Sequence, residues 1–513
     1  LFSIFFYNLN IDSVAMVNMT ISVRDSKIKT GSAYLNPQRK KRILSWANDL
    51  AKTRAKWIKR NRFYYQDEYR YLNFLIPQGS RILEIGCGTG QLLAALSPAQ
   101  AYGVDLSPEM TTEAQKILPE GIFITGDIEE ENTILSLKDK MNGEIDYIII
   151  NDTLGMLDDC QATLANIHKL CSKDTRIIIA YYSKLWEPIL RFAERIYLRN
   201  RNPEMNWLSR SDIINLLKLE TYDVISSRRR LLIPRSVFGL GRLCNISLGM
   251  LPGINRFCLR NYIVCRSLEE KQRPTPSVTV LVPCRNEKGN IEAAVSRTPL
   301  MAPDQELLFV EGNSSDGTWE EIQRVKDAYP ELKINALQQP GKGKGDAVRC
   351  GFEAAEGDIL MILDADLTVP PEVLPRFYHA VASGKGEYVN GTRLIYPMEE
   401  GAMRPLNYLA NRSFAVIFSW LIGARMTDTL CGTKVLSKDH YQTIAKNRAY
   451  FGDFDPFGDF DLIFGATKSN LKMIEIPVRY ASRSYGETQI SRFRDGWELL
   501  KMVLFAARKL KFF

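Results

Sequence analysis

The sequence predicts an α/β protein of two domains, each built on a largely parallel sheet, and three patterns predict it. Short apolar runs that end in glycine or acidic residues and lead into helix-length stretches occur in both halves of the chain. The run Ile359–Leu363 is apolar throughout, as a strand buried on both faces of a helix-covered sheet must be. Between the halves lies Glu269-Glu-Lys-Gln-Arg-Pro-Thr-Pro-Ser277, a polar stretch with two prolines that reads as a short, stiff linker.

The bounds agree with this division. A chain of 513 residues exceeds a single core. With 45% hydrophobic and 25% charged residues the composition is that of an ordinary globular protein. A net charge of +8 permits contact with anionic lipid or nucleotide without requiring nucleic acid, and none is expected as a partner. Nine dispersed cysteines without a C-x-x-C pair point to reduced thiols and a cytoplasmic setting. Three histidines, His168, His379 and His440, argue against a histidine-rich metal site. No apolar stretch approaches the ~20 residues of a membrane-spanning helix; Ser413–Ala424 is too short and is flanked by Arg412 and Arg425. The opening Leu1–Tyr7 has no basic n-region, so a signal peptide is not expected, and the natural start is placed at Met16 or Met19.

In chain order, residues 1–62 are an N-terminal extension closing in a basic helix. Ile43, Trp46, Leu50 and Ala51 recur there at helical spacing, and its charges are expected to be a solvated face. Residues 63–268 form the first domain. Its strand Arg81–Ile85 enters a loop with Gly86, Gly88 and Gly90 and leaves as a helix. A second strand ends in Asp105, where a carboxylate suits a ribose diol. A dinucleotide fold competes, but the third glycine comes one residue early and Glu84 would repel a pyrophosphate. A third strand precedes Gly126-Asp127-Ile128, and a fourth runs from Asp146 to Asn151.

This set resembles the class I S-adenosylmethionine-dependent methyltransferases, which implies a Rossmann-like sheet and S-adenosylmethionine as cofactor. The resemblance implies that Asp105 holds the ribose hydroxyls and that Asp127 and Ile128 face the adenine. Glu84 with Gly86, Gly88 and Gly90 would line the methionine end, and Asn151 completes the set. His168 is read as a packing residue and not as a base. Tyr222–Ile233 and Arg260–Cys265 read as closing strands. The basic and apolar stretch between them, Arg235–Pro252, is expected to pack on the neighbouring domain rather than on a membrane.

The second domain, 278–513, opens with a buried strand running into Pro283, Arg285 and Glu287. Glu306–Val310 is a second strand, ending in Glu311-Gly-Asn-Ser-Ser-Asp316. Gly341-Lys-Gly-Lys-Gly-Asp346 offers mobile amides and lysines, including Lys344, to phosphate. The strand Ile359–Leu363 then presents Asp364 and Asp366. Two residues apart at a strand exit, the two carboxylates are expected to face one side and share a hard cation.

This half resembles the family 2 glycosyltransferases of the GT-A fold, near dolichol-phosphate mannose synthase and related polyprenyl-phosphate enzymes. The resemblance implies that Pro283, Arg285, Glu287, Glu311 and Asp316 bind the nucleotide and that Asp346 supports the base or ribose. It also implies that Asp364 and Asp366 hold Mg2+ or Mn2+. Further matching segments are Asn390–Arg393, Thr427–Lys434, Phe460–Leu462 and Arg483–Ser491. An acceptor phosphate needs cations more than it needs a base, because its second pKa is near ~6. Arg393, Arg404, Arg412 and Arg483 are the candidates to grip it, with Asp461 or Asp428 orienting the site; the structural alternative pairs these arginines with Glu399 and Glu400. The C-terminal stripe Leu499, Val503, Ala506, Leu510 and Phe513 fits either a lipid interface or burial against the sheet.

The expected function is glycosyl transfer from a GDP- or UDP-linked sugar to a polyprenyl phosphate or related glycolipid, at the cytoplasmic face of a membrane with peripheral contact, joined to methyl transfer. The alternative is transfer to a saccharide hydroxyl, with the first half a non-catalytic binding module.

Overall fold

The computed structural model describes residues 36–202, 205–268, 275–394, 405–448, 460–481, 485 and 492–511. Two seven-stranded mixed sheets carry the chain, one in each half. The first is built from β1 (Arg81–Ile85), β2 (Gln100–Asp105), β3 (Ile122–Thr125), β4 (Tyr147–Asn151), β5 (Arg176–Tyr182), β6 (Tyr222–Arg230) and β7 (Arg260–Ser267). Its order is β3-β2-β1-β4-β5-β7-β6. The first five strands are parallel, and β7 enters antiparallel between β5 and β6. Strand order reverses between β1 and β4, so a crevice opens beyond their carboxyl ends.

The second sheet repeats the plan with β8 (Val278–Cys284), β9 (Gln305–Glu311), β10 (Lys333–Gln338), β11 (Ile359–Ile362), β12 (Tyr388–Thr392), β13 (Lys434–Ser437) and β14 (Met473–Pro477). Its order is β10-β9-β8-β11-β13-β12-β14, with β13 antiparallel to both of its neighbours. Here the reversal falls between β8 and β11, the strand that leads to Asp364. The all-apolar runs are buried as expected: Ile148–Ile150 in β4 and Ile359–Ile362 in β11 are at most 2% exposed.

The halves share a core. One apolar cluster unites Tyr71, Leu72 and Leu75 of helix Arg62–Leu75 with Phe418 and Leu421 of helix Pro405–Ile422 and with Ala506 and Leu510 of helix Arg492–Leu510. The C-terminal stripe is therefore an interior face at Val503, Ala506 and Leu510, with Met502 beside them; the side chain of Leu499 and all of Phe513 lie outside the described residues. Polar ties reinforce the junction. Arg176 donates to both oxygens of Glu387 at 2.8 and 2.9 Å, Arg266 lies 3.2 Å from the same carboxylate, and Lys472 bonds Asp223 at 2.5 Å. The two arginines outweigh burial and hold the Glu387 carboxyl below its usual range.

One expectation is met in part and one needs correction. The stretch 235–252 does pack on the second domain, since Trp420 Nε1 donates to the Met250 carbonyl at 2.8 Å. Its other side, however, leaves Val237, Phe238, Leu240, Leu243, Leu248 and Leu251 exposed. The basic N-terminal stretch breaks into helices Pro37–Ala51 and Arg54–Arg60, and Lys41, Arg42, Asp49, Lys52 and the charges of the second helix apart from Arg54 form a solvated face. Arg39 is buried and paired with Asp158, and Lys40 bridges Asp127 and Glu129. Among the described residues no helix is long and apolar enough to cross a membrane.

Candidate functional sites

The crevice of the first sheet is a cavity of about 250 Å3. Glu84, Gly86, Gly88, Asp105, Asp127, Ile128 and Asn151 all line it. Gly90 does not; it starts the helix Gln91–Leu96 in a left-handed conformation. Gly86 is required by space, because a Cβ there would stand 2.1 Å from Thr153 Oγ1, the hydroxyl that donates to the Ile85 carbonyl. Asp105 accepts from the backbone of Gly88 at 2.8 Å and of Ser107 at 2.9 Å. Burial raises its pKa against those two bonds. The helix Pro37–Ala51 closes the crevice from outside with Lys40, Ile43, Trp46, Ala47 and Leu50.

Glu84 is 3% exposed, and its Oε2 has no hydrogen-bond partner among the described residues. Burial drives its pKa well up. Arg54, on the wall of the same cavity, has a buried Nε in the same condition. An orphaned acceptor and an orphaned donor in one cavity fit a zwitterion, whose ammonium and carboxylate would satisfy them. Arg54 was not among the residues the sequence singled out, because a lysine- and arginine-rich helix gives no sign of which cation turns inward.

A second missed residue is Arg260, 1% exposed at the start of β7. It donates to Glu68 at 2.7 Å and to Asn151 at 2.6 Å, and it pairs with Asp152. Its guanidinium lies 4.7 Å from the Tyr182 ring centre. This network fixes the turn after β4, where Asp152 adopts φ 59°. His168 is a packing residue: it stacks on Tyr222 at 3.9 Å and its Nδ1 meets Ser267 Oγ at 2.7 Å.

In the second sheet the carboxyl ends of β8, β9, β10 and β11 carry the candidate residues. Asn286 and Glu287 after β8 interlock with the loop after β9. The Glu287 amide donates to Thr318 Oγ1 at 3.0 Å, and Asn286 Oδ1 accepts from Ser315 at 2.9 Å. Glu311 is buried and accepts from the Ser314 amide at 2.5 Å. Asp316 accepts from Thr318 and Lys288, and these bonds lower its pKa although burial opposes them. Pro283 is half-buried at the end of β8, and Arg285 is exposed beyond it. Asp346 accepts from the Gly341 amide at 2.8 Å and so closes the glycine loop on itself.

Strand β11 stops at Ile362, so the two-residue alternation does not govern the carboxylates beyond it. Asp364 receives Lys344 Nζ at 2.6 Å, while Asp366 turns to accept from Thr368 at 2.8 Å and 3.1 Å. Burial would raise the Asp364 pKa, but Lys344, Lys434 and Arg393 together lower it. Lys344 thus neutralises the carboxylate that a divalent ion would otherwise balance. Gly432 is also fixed by space, since a Cβ there would lie 1.8 Å from Asp364 Oδ2. Lys434, fully buried on β13, is a third residue the sequence reading missed; it sat inside a recognised segment but gave no hint of burial.

Arg393 is held by Asp428, with Nε at 2.7 Å and Nη2 at 2.9 Å. Asn411 donates to the same carboxylate at 2.9 Å. The expected partners Glu399 and Glu400 lie outside the described residues, as do Arg404 and Arg483. Asp428 is fully buried, so it braces the site from within and does not face a ligand. Asp461 accepts from Arg448 at 2.8 Å, and Arg412 is exposed on helix Pro405–Ile422.

Comparison with known proteins decides the family of each half. Residues 57–227 match the model "Methyltransferase domain", and residues 279–441 match "Glycosyl transferase family 2". The chain joins a methyltransferase domain to a family 2 glycosyltransferase domain. Both are enzyme families.

The glycosyltransferase half is 28% identical over 235 residues to the low-salt glycan biosynthesis hexosyltransferase Agl6 of Haloferax volcanii, covering 45% of this chain and 53% of that protein. It is 36% identical over 124 residues to a dolichol-phosphate mannosyltransferase of Pyrococcus furiosus, covering 23% of this chain and 35% of that protein. The chain thus spans about half and about a third of these two curated relatives. Among solved structures, a methyltransferase of Thermotoga maritima described as a possible histamine N-methyltransferase is 16% identical, covers 44% of this chain and 99% of its own, and has a TM-score of 0.33. Glucosyl-3-phosphoglycerate synthase of Mycobacterium tuberculosis with uridine diphosphate is 15% identical, covers 45% and 80%, and has a TM-score of 0.35.

Proposed function

We propose that the glycosyltransferase half moves a hexosyl group from a GDP- or UDP-linked sugar to a polyprenyl phosphate or related glycolipid at a membrane face, and that the first half transfers methyl groups from S-adenosylmethionine. The observation that carries the first part is the Lys344–Asp364 pair at the switch point of the second sheet. A cation already neutralises this carboxylate, and the glycine loop that supplies it joins the nucleotide side to the carboxylate turn. Names of the relatives, a hexosyltransferase and dolichol-phosphate mannosyltransferases, support the choice of sugar class and acceptor.

Asp364 and Asp366 would hold Mg2+ or Mn2+, which when bound offsets the charge of a diphosphate leaving group. Lys344 is placed to exchange its partner, leaving Asp364 for the phosphates of the donor. Arg285, Glu287, Glu311 and Asp316 border the nucleotide side, and the interlocked loops after β8 and β9 hold them in place. An acceptor phosphate is largely ionised at neutral pH, so Arg412, exposed on its helix, serves binding and alignment, with Arg393 held behind it by Asp428 and the Tyr480 ring, and no base is required.

In the first domain, S-adenosylmethionine supplies an electrophilic methyl group when bound. Glu84 and Arg54 fit the two charges of its amino-acid end, Asp105 fits the ribose, and Asp127 and Ile128 border the base. Displacement at carbon then depends on alignment, which the Arg260 network provides by fixing Asn151 and Asp152.

The test is calorimetric titration of GDP- and UDP-sugars into the full chain with and without Mn2+. Metal-dependent binding that is lost in Asp364→Asn and Asp366→Asn is expected. No binding of any GDP- or UDP-sugar by the parent, with or without Mn2+, refutes the sugar-transfer reading, and a parent affinity that Mn2+ does not raise removes the metal from it.

A further inference from the structure

A second cavity, of about 320 Å3, lies where the two domains meet and away from both switch points. Its walls carry Arg210, Arg228, Arg229, Arg230, Arg425 and Lys511 and, among the described residues, no aspartate or glutamate. Three of the arginines are consecutive on β6 of the methyltransferase domain. Arg425 and Lys511 follow the ends of helices Pro405–Ile422 and Arg492–Leu510 of the other domain. Neither half alone assembles the set.

The plain structural reading accounts for part of it. Arg228 donates to the carbonyls of Ile422 at 2.5 Å and Leu510 at 3.4 Å, so it caps the carboxyl ends of two helices, where a cation is favoured. Arg230 sits 3.5 Å from Asp67 and over the Tyr71 ring. Those contacts leave Arg228 Nε buried without a partner among the described residues. They also leave Lys511 facing two guanidiniums, and the Lys511 pKa falls well below its usual value through burial first and Arg228 and Arg230 next. Converging like charges in a half-enclosed space is unfavourable unless an anion joins them.

We propose that this cavity is a phosphate site, in which the β6 arginines and the two helix-end cations together hold the phosphate of a ligand bound across the domain junction. Guanidinium forks suit the tetrahedral oxygens, and Ser227 and Asn255, whose oxygens accept from Arg210 and Arg229, add neutral donors. Trp420, Met250 and Leu510 supply an apolar wall, so the ligand is an organic phosphate. The source is a lipid headgroup or a soluble phosphate ester. Leu248 and Leu251, exposed on either side of the wall residues Gly249 and Met250, would meet the chain of a lipid. The site is independent of the sugar-transfer reading.

The test uses the full chain without divalent metal, titrated with inorganic pyrophosphate at fixed ionic strength. Arg228 is unsuitable as the sole variant, because removing it uncaps two helices. Arg210 and Arg425 are exposed, so Arg210→Ala/Arg425→Ala folds normally and is expected to weaken pyrophosphate binding about tenfold or more. Lys344→Ala, which alters the donor site only, should bind as the parent does. A second arm floats the chain on phosphatidate-containing and on pure phosphatidylcholine vesicles. Flotation on phosphatidate that the double variant loses assigns the site to a lipid phosphate, and pyrophosphate binding without flotation assigns it to a soluble ester. No pyrophosphate binding by the parent, or binding lost in Lys344→Ala and unchanged in the double variant, overturns the proposal.

Discussion

Replacing Asp428 by asparagine should destabilise the glycosyltransferase half more than any surface change nearby. This carboxylate is fully buried and accepts from the Arg393 amide at 3.0 Å, from two Arg393 guanidinium nitrogens, from Asn411 at 2.9 Å and from the Leu430 amide at 3.1 Å. Burial alone would raise its pKa, but Arg393 prevails and holds it down at about 2, from an ordinary 3.8. At about 1.4 kcal/mol per unit, that difference is about 2 kcal/mol of folding stability.

The sign follows from the depressed value. The contribution is fully present above the unfolded pKa, 3.8, and is lost as pH falls through about 2. Asp428→Asn costs more than this at neutral pH, because it leaves Arg393 buried with a neutral partner; losing half of a buried pair costs about 3–5 kcal/mol. Asp428→Asn/Arg393→Met removes both charges and should recover most of the loss. Urea unfolding followed by tryptophan fluorescence at pH 7, 4 and 2.5 measures all three proteins. A single variant within about 0.5 kcal/mol of the parent at pH 7 would show that the pair contributes nothing net, a result surface ion pairs commonly give.

Three other outcomes are expected. Asp364→Asn and Asp366→Asn should each reduce Mn2+-dependent binding of the sugar nucleotide at least tenfold by calorimetry, with metal-free binding little changed. Glu84→Gln and Arg54→Met should each weaken S-adenosylmethionine about ten- to a hundredfold in equilibrium dialysis, the range for one charged hydrogen bond, while adenosine, which lacks the amino-acid end, binds as before. Arg260→Met strands Glu68 and Asp152 and should lower the unfolding free energy by about 3–5 kcal/mol in urea; an unchanged midpoint would mean the surrounding tyrosines hold the turn without it.

Much of both sites was legible because strand ends and turns are local. An apolar run stops where its sequence turns polar, and whatever follows a parallel strand at the switch point faces the crevice. Glu84, Asp105, Asp127, Glu311 and Asp364 were therefore found from their place after or within a strand. Arg54, Arg260 and Lys434 were not, because a cation in sequence reads as solvent-facing and only its surroundings reveal burial. The pairing of Arg393 with Asp428 was missed for a related reason: 35 residues separate them, and either could have met a nearer partner.

By itself, then, the sequence determined the two sheets, their strand-end loops and the family of each half, since periodicity and turn chemistry act over a few residues at a time. Tertiary structure alone decided that the C-terminal stripe is core rather than lipid-facing, and that a basic N-terminal helix closes the methyltransferase crevice. It also decided that arginines of one domain meet the helix ends of the other around a shared cavity. Each of those depends on which surfaces meet across long separations in the chain, and an amphipathic face carries no record of whether protein, lipid or water will cover it.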